Sequence, residues 1–132
     1  MAKAKKIKQI SFTLPNRVGL LSEISSAITK AKVNINAVCG YEMDNMAYFM
    51  LVTESYPKTK KIISSMTSEF KEEDVIAVEM PNKPGALDGV TKRIADAGID
   101  IHYMYGTAFG GRSSTCVFKT ADDIKAIKVI NK

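Results

Sequence analysis

The sequence has little of the side-chain chemistry on which metal sites and disulfide frameworks depend. Its 132 residues include one histidine, His102, and two cysteines, Cys39 and Cys116, which lie far apart without a CxxC motif. These counts argue against a zinc site, and we interpret both cysteines as reduced core residues. Paired carboxylates and a nucleophile–base pair are also missing, so the sequence predicts neither catalysis nor a cofactor.

Long apolar runs are missing as well. No segment approaches the length needed to cross a membrane, and residues 1–4 lead into a charged strand without an apolar signal region. We therefore expect a cytoplasmic protein that does not associate with membranes. The net charge of +5 is interpreted as a solvated basic surface, with nucleic-acid binding as the alternative.

What the sequence does contain is an internal repeat. The phrase Pro15–Leu21 (PNRVGLL) recurs 66 positions later as Pro81–Leu87 (PNKPGAL). A match at a fixed offset over about half the chain indicates two copies of one structural unit. We predict domains at residues 1–72 and 73–132. An isolated core is marginal at this size, so we expect the halves to pack together and the product to pair with another copy.

Apolar periodicity predicts the same order of elements in both halves, namely strand, helix, strand, strand, helix. In the first half the strands are predicted near residues 7–14, 33–38 and 46–53, and the helices near residues 19–32 and 56–70. The order predicts an α+β fold of tandem ferredoxin-like (βαββα-type) repeats, with antiparallel sheets and helices on one face. We interpret residues 1–6 as a frayed start and residues 71–74 as a charged link.

The sheet face away from the helices is predicted to be partly apolar. Alternation assigns Phe49 and Leu51 to this face in the first half, and Met104 and Val117 in the second. A contiguous apolar patch of this kind usually marks an interface. An RNA-binding sheet is the alternative, but it needs aromatic residues on the open face of the third strand, where only Phe49 could stack on a base.

The two turn phrases resemble the ACT domain family, small ligand-binding regulatory modules of amino-acid metabolism. The resemblance is carried by Pro15–Leu21 and Pro81–Leu87, is completed by Val33–Asn36 and Gly98–Ile101, and covers nearly the whole chain. The chain is similar to stand-alone tandem ACT proteins. A full ACT unit also has a fourth strand. Either both fourth strands are missing, or the strand at residues 75–80 serves both halves.

The resemblance implies a site for an amino acid or related small molecule at an interface between two ACT units. Unpaired N–H groups at a helix start suit the ligand's carboxylate, and an asparagine carbonyl suits its ammonium. The residues carried over are Asn16, Arg17, Val18, Gly19, Leu20, Asn36, Asn82, Lys83, Pro84, Gly85, Ala86, His102 and Met104. Simple turn roles for the asparagines, and an interface hydrogen bond for the histidine, remain open.

We therefore expect an allosteric regulatory protein and not an enzyme. A homodimer would bind the effector, shift its packing and pass that shift to a metabolic enzyme or a regulator. A ligand-free dimerisation scaffold is the alternative. The sequence identifies neither the effector nor the downstream partner, and it does not decide whether one or both turns bind.

Overall fold

The computed structural model describes residues 2–132 and gives the predicted element order in both halves. The elements are β1 Lys3–Pro15, α1 Leu20–Lys30, β2 Ile35–Met43, β3 Met46–Thr53, α2 Tyr56–Met66, β4 Phe70–Pro81, α3 Ala86–Asp96, β5 Ile101–Thr107, β6 Ser113–Thr120 and α4 Asp123–Ile130. The predicted α+β fold of tandem ferredoxin-like repeats is confirmed. Along residues 2–132, no helix has the length and apolar content needed to cross a membrane.

Contacts divide the chain into two compact units. The N-terminal unit is Lys8–Glu73, and the C-terminal unit is Asp74–Lys132 together with the described residues 2–7. The predicted domains, residues 1–72 and 73–132, divide the chain by its sequence repeat and not by contacts. They stay a prediction.

The N-terminal unit packs α1 and α2 on one face of an antiparallel sheet. Its strands lie in the order β2-β3-β1, with the first residues of β4 next to β1. The α1 stripe Leu20, Ile24 and Ile28 repeats at helical spacing and is at most 2% exposed. It packs with Ile10 and Ile63 in one apolar core. This core fixes the position of the turn that joins β1 to α1.

The C-terminal unit repeats this arrangement with α3 and α4. Its strands lie in the order β5-β6-β4, with the first residues of β1 next to β4. Val90 and Ile94 of α3 pack against Ile76 and Phe118 of the sheet. The final helix begins at the Asp122 cap, whose side chain accepts from the Lys125 N–H at 3.1 Å.

The interpretation of the start of the chain as frayed is wrong for residues 3–6, since β1 begins at Lys3, whereas residue 1 lies outside the described residues. Ala4 is 7% exposed and belongs to the core of the C-terminal unit. Its N–H donates to Asn131 Oδ1 at 2.7 Å, and its carbonyl accepts from Asn131 Nδ2 at 2.9 Å. The neighbouring lysines suggested that this segment is surrounded by solvent. In a strand, however, successive side chains face opposite sides, so the lysines point outward and Ala4 points inward.

The charged link at residues 71–74 is also wrong, because β4 begins at Phe70. The Phe70 side chain packs against the core of the N-terminal unit from a strand, not from a helix. Just before it, the Thr13 N–H donates to the Glu69 carbonyl at 2.9 Å. Lys8 pairs with Glu72 at 2.5 Å. Each unit therefore has a fourth strand, formed by the first residues of a strand whose remainder belongs to the other unit.

The assignment of Phe49 and Leu51 to the open face of the sheet is wrong. Together with Ala47, they are at most 8% exposed and lie in the core under the helices. The register explains this, because Phe49 pairs with Phe12 of β1. The two rings stack, with their centroids 5.3 Å apart. Phe49 is therefore absent from the open face of the sheet, where base stacking would need it. Both faces of β3 are apolar, so alternation alone could not decide between them.

The assignment of Met104 to the open face is wrong for a different reason. A register irregularity between Ile101 and Tyr103 turns the following residues over. Met104 consequently pairs with Phe118 and shares its helix-covered face, where it stays 39% exposed. Val117 lies on the opposite face, but it is only 2% exposed and so is not part of an exposed patch.

The Asn131 contacts can be tested by replacing this residue with alanine. Asn131→Ala removes the partner of the Ala4 N–H and of the Ala4 carbonyl, so we expect a loss of about 1 to 3 kcal/mol in the free energy of unfolding. Urea denaturation followed by circular dichroism measures this loss. Lys128→Ala, at an exposed position of α4, the helix that Asn131 follows, should change stability by less than about 0.5 kcal/mol. Equal stabilities for the two variants would contradict the assigned role of residues 3–7.

Candidate ligand site

The turn between β1 and α1 has a backbone that only glycine adopts readily. Gly19 is the residue before the helix, and its φ of 89° lies in the left-handed region. A Cβ at Gly19 would meet nothing within 4 Å, so backbone conformation and not space requires glycine. The turn is held to the β2–β3 hairpin by a hydrogen bond from the Asn16 N–H to the Asn45 carbonyl, at 2.9 Å.

The same glycine leaves the start of α1 without a side-chain cap. The Leu20 N–H donates to the Arg17 carbonyl at 3.2 Å, and the Glu23 N–H donates to the Gly19 carbonyl at 3.0 Å. Within residues 2–132, the N–H groups of Val18, Leu21 and Ser22 have no such partner. Serine or aspartate at this position would normally satisfy such groups. Here they remain available to an anion, which the helix dipole also favours.

Beside these N–H groups lies a cavity of about 600 Å³, which we call the turn groove. Residues of the turn, the first turn of α1 and the adjoining strands β2 and β3 form it. They are Asn16, Arg17, Gly19, Leu20, Leu21, Ser22, Val38, Gly40, Tyr41, Glu42, Ala47 and Phe49. A volume of this size is typical of a small-molecule site.

Apolar side chains form much of the turn groove, and one glycine opens it. Val38, on the helix side of β2, is 50% exposed, and Leu21 of α1 is 56% exposed. Gly40 pairs with Phe49, and a Cβ on Gly40 would lie 2.9 Å from the Phe49 ring. The missing side chain therefore leaves the ring as part of the groove lining.

The charged groups at the turn groove already have partners. Arg17 forms an ion pair with Glu23 on the exposed surface. Glu42 Oε2 accepts the Asn45 N–H at 2.9 Å. The Asn16 side chain, in contrast, makes no hydrogen bond within the described chain, so its amide is available to a ligand.

The second turn has the same backbone but different chemistry. Gly85 precedes α3 with φ 87°. The Asn82 side chain is already used, because Nδ2 donates to the Gly111 carbonyl at 2.8 Å. Pro84 stands in the place of Val18 and has no N–H, and Asp88 stands in the place of Ser22 and brings a negative charge. Lys83, Gly85 and Ala86 line a smaller cavity of about 210 Å³ beside the end of α4.

The structure brings together part of the predicted set. Asn16, Arg17, Gly19 and Leu20 all line the turn groove, and Val18 is fully exposed in the same turn.

The remaining predicted strand residues do not line either cavity. Asn36 and His102 are exposed at the register irregularities of β2 and β5. Sequence reasoning missed Ser22, Val38 and Phe49, although the 66-residue offset relates Val38 to Met104, which was predicted.

Two kinds of reactive site, a metal centre and an activated thiol at Cys116, find no support among the described residues. Across residues 2–132, no three His, Cys, Asp or Glu side chains gather as a metal site would require. Burial raises the pKa of the Cys116 thiol, which disfavours the nucleophilic thiolate. Cys39 is partly exposed and is likewise a free thiol.

The fold and the turn groove define a class of protein: a tandem ferredoxin-like protein with a small-molecule groove at a strand-to-helix turn. The family model for the ACT domain pair matches residues 5–132, so the chain belongs to that family. The resemblance predicted from the two turn phrases is confirmed. ACT domain pairs resemble regulatory domains and not catalytic ones, which supports a ligand-binding regulatory role.

Several solved structures share the fold. Protein BT0572 from Bacteroides thetaiotaomicron is 27% identical, with a TM-score of 0.87 over 97% of this chain and 88% of that one. The regulatory subunit of aspartate kinase from Thermus thermophilus, in its ligand-free form, is 10% identical, with a TM-score of 0.69 over 94% and 90% of the two chains. At that identity it shows the fold alone. No curated protein matches the chain significantly.

The contrast between the two asparagines predicts different effects on stability. Asn82→Ala breaks the bond to the Gly111 carbonyl and should lower the free energy of unfolding by about 1 kcal/mol. Asn16→Ala breaks no side-chain bond and should change it by less than about 0.5 kcal/mol. Thermal unfolding of both variants, measured beside the parent protein, tests this. A larger loss for Asn16→Ala would show that its side chain serves the turn and not a ligand.

Proposed function

We propose that this protein is a regulatory amino-acid-binding protein and that the turn groove is its effector site. The observation that carries the proposal is the juxtaposition of unpaired N–H groups at the glycine-preceded start of α1 with an apolar cavity of about 600 Å³. An α-amino acid matches both parts, because its charged end and its side chain diverge from one carbon.

The geometry of the turn suggests how the charged end is held. The N–H groups of Val18, Leu21 and Ser22 offer donors to the carboxylate, and the dipole of α1 adds a favourable field. The side-chain carbonyl of Asn16 offers an acceptor to the ammonium. Gly19 supports the site because it has no side chain that could cap the start of α1.

One site per chain follows from the differences between the turns. Pro84 removes a donor, Asp88 repels a carboxylate, and the Asn82 amide is committed to Gly111. Of the two predicted sites, we therefore assign effector binding to the one that contains Asn16 and Gly19. Lys83, Pro84, Gly85 and Ala86 then serve the second turn as structural residues.

Regulation would act through a homodimer joined along β2. This strand is the edge of its sheet, and it exposes Tyr41 and Met43 at 50% and 51%. An apolar edge strand offers both unpaired backbone groups and burial to a second copy. The turn groove lies beside this edge, so bound effector would bias the pairing by its differential affinity for the two packings. A metabolic enzyme or a regulator would read that change, and the protein itself would not catalyse a reaction.

The binding site can be tested with a single exchange between the turns. Ser22→Asp copies Asp88 of the second turn. It should stabilise α1 by about 0.3 to 1 kcal/mol through the helix dipole, yet weaken effector binding at least about tenfold through repulsion of the carboxylate. Isothermal titration calorimetry with the twenty amino acids identifies the effector first and then measures the variant.

The matched control is Asp88→Ser, which should leave the affinity unchanged. Val18→Pro, which copies Pro84, gives a second variant that removes one donor. Unchanged binding in both Ser22→Asp and Val18→Pro would overturn the assignment to the first turn.

The proposed dimer predicts a charge-sensitive self-association. Met43→Asp places a carboxylate at the exposed edge of β2 and should shift the protein toward monomer in sedimentation velocity at micromolar concentration. Ile124→Asp replaces an apolar side chain that is 67% exposed on α4 and should leave the association unchanged. Monomeric parent protein, with and without effector, would refute the homodimer.

A further inference from the structure

We propose that the effector carries a large apolar side chain, of the branched aliphatic, methionine or phenylalanine class. This inference rests on the proposed function, since it concerns the chemistry of the same site. Small hydroxylated, acidic and basic amino acids are the classes that it excludes.

The apolar part of the turn groove is built from side chains on three elements. Leu21 comes from α1, Val38 from β2 and Phe49 from β3. Val38 and Leu21 are about half exposed on the helix side of the sheet. An apolar ligand would cover these exposed apolar groups. The favourable free energy is about 25 cal/mol for each Å² of apolar surface removed from water.

Gly40 makes the groove deep enough for a large side chain. Its missing Cβ would lie 2.9 Å from Cδ1 and Cε1 of Phe49, so any other residue would cover this part of the ring. A serine or alanine ligand would fill less of the cavity of about 600 Å³, and cover less of its apolar lining, than a larger apolar ligand. A leucine or phenylalanine side chain can extend from the turn to the Phe49 ring.

The charges at the groove do not fit a charged side chain. Arg17 is paired with Glu23, and Glu42 accepts the Asn45 N–H. An acidic side chain would compete with Glu23 for the Arg17 guanidinium. A basic side chain could still approach the Glu42 carboxylate, so the apolar walls are what disfavour it. The unpaired polar groups lie at the start of α1 and on Asn16, where the α-carboxylate and the ammonium are already assigned.

Calorimetry with a defined panel tests the class of ligand. Leucine, isoleucine, valine, methionine and phenylalanine should bind at least about tenfold more tightly than alanine, serine, threonine, aspartate or lysine, because each buried CH₂ contributes about 0.8 kcal/mol. If a small polar or charged amino acid binds most tightly instead, the inference about the side chain fails while the proposed function stands. If no amino acid binds, the proposed function itself fails, and this inference fails with it.

A matched pair of variants locates the apolar contact. Val38→Asn should weaken the best apolar ligand about fivefold or more, with little effect on stability at this half-exposed position. Met104→Asn, at the position related to Val38 by the repeat, should leave the affinity unchanged. If Val38→Asn dissociates the homodimer and the parent protein binds no apolar amino acid, the groove is filled by the second copy, and the inference is overturned.

Discussion

A left-handed glycine before each of two helices is the constraint on which the candidate site depends. At Gly19 and Gly85 the chain turns from a strand into a helix with φ near +90°, a conformation that costs other residues about 1 to 2 kcal/mol. No side chain caps either helix as a result. The cost of unpaired donors is tolerated because the turn is exposed, and in the first unit Leu21 and Ser22, which carry two of these donors, line the turn groove. Stability and binding thus compete for the same few N–H groups.

Local pattern was sufficient to predict most of the fold, because the repeat supplied two independent observations of each element. It failed where the partner of a segment is distant in sequence. Ala4 lies among lysines and looks solvated, yet its bonding partner is Asn131. Phe70 continues the helical spacing of α2, yet it begins a strand. In both cases the residue's structure was predicted from its neighbours in sequence. Contacts with a segment distant in sequence determined it instead.

The turn of the candidate site could be predicted from the sequence, but the strand residues that line the groove could not. The doubled phrase predicted Asn16 and Gly19 as candidate residues, since a glycine that must adopt positive φ leaves a signal in sequence. Val38 and Phe49 belong to the groove only because of strand register. A register irregularity near the start of β2 sets which residues of that strand face the helices. Periodicity across such an irregularity gives the wrong face, as it did for Met104 in the second unit.

The two copies keep one backbone and differ at several of the groups that would contact the proposed ligand. Relative to the first turn, the second has proline for Val18, aspartate for Ser22 and, by strand register, Cys116 for Phe49. These changes act separately on a donor, on the local charge and on the apolar wall. The second unit still needs its own turn, because Gly85 starts α3 and Asn82 holds the β5–β6 hairpin through Gly111. Folding alone therefore explains why the C-terminal unit keeps the turn phrase. In the N-terminal unit, folding and the proposed binding together explain it.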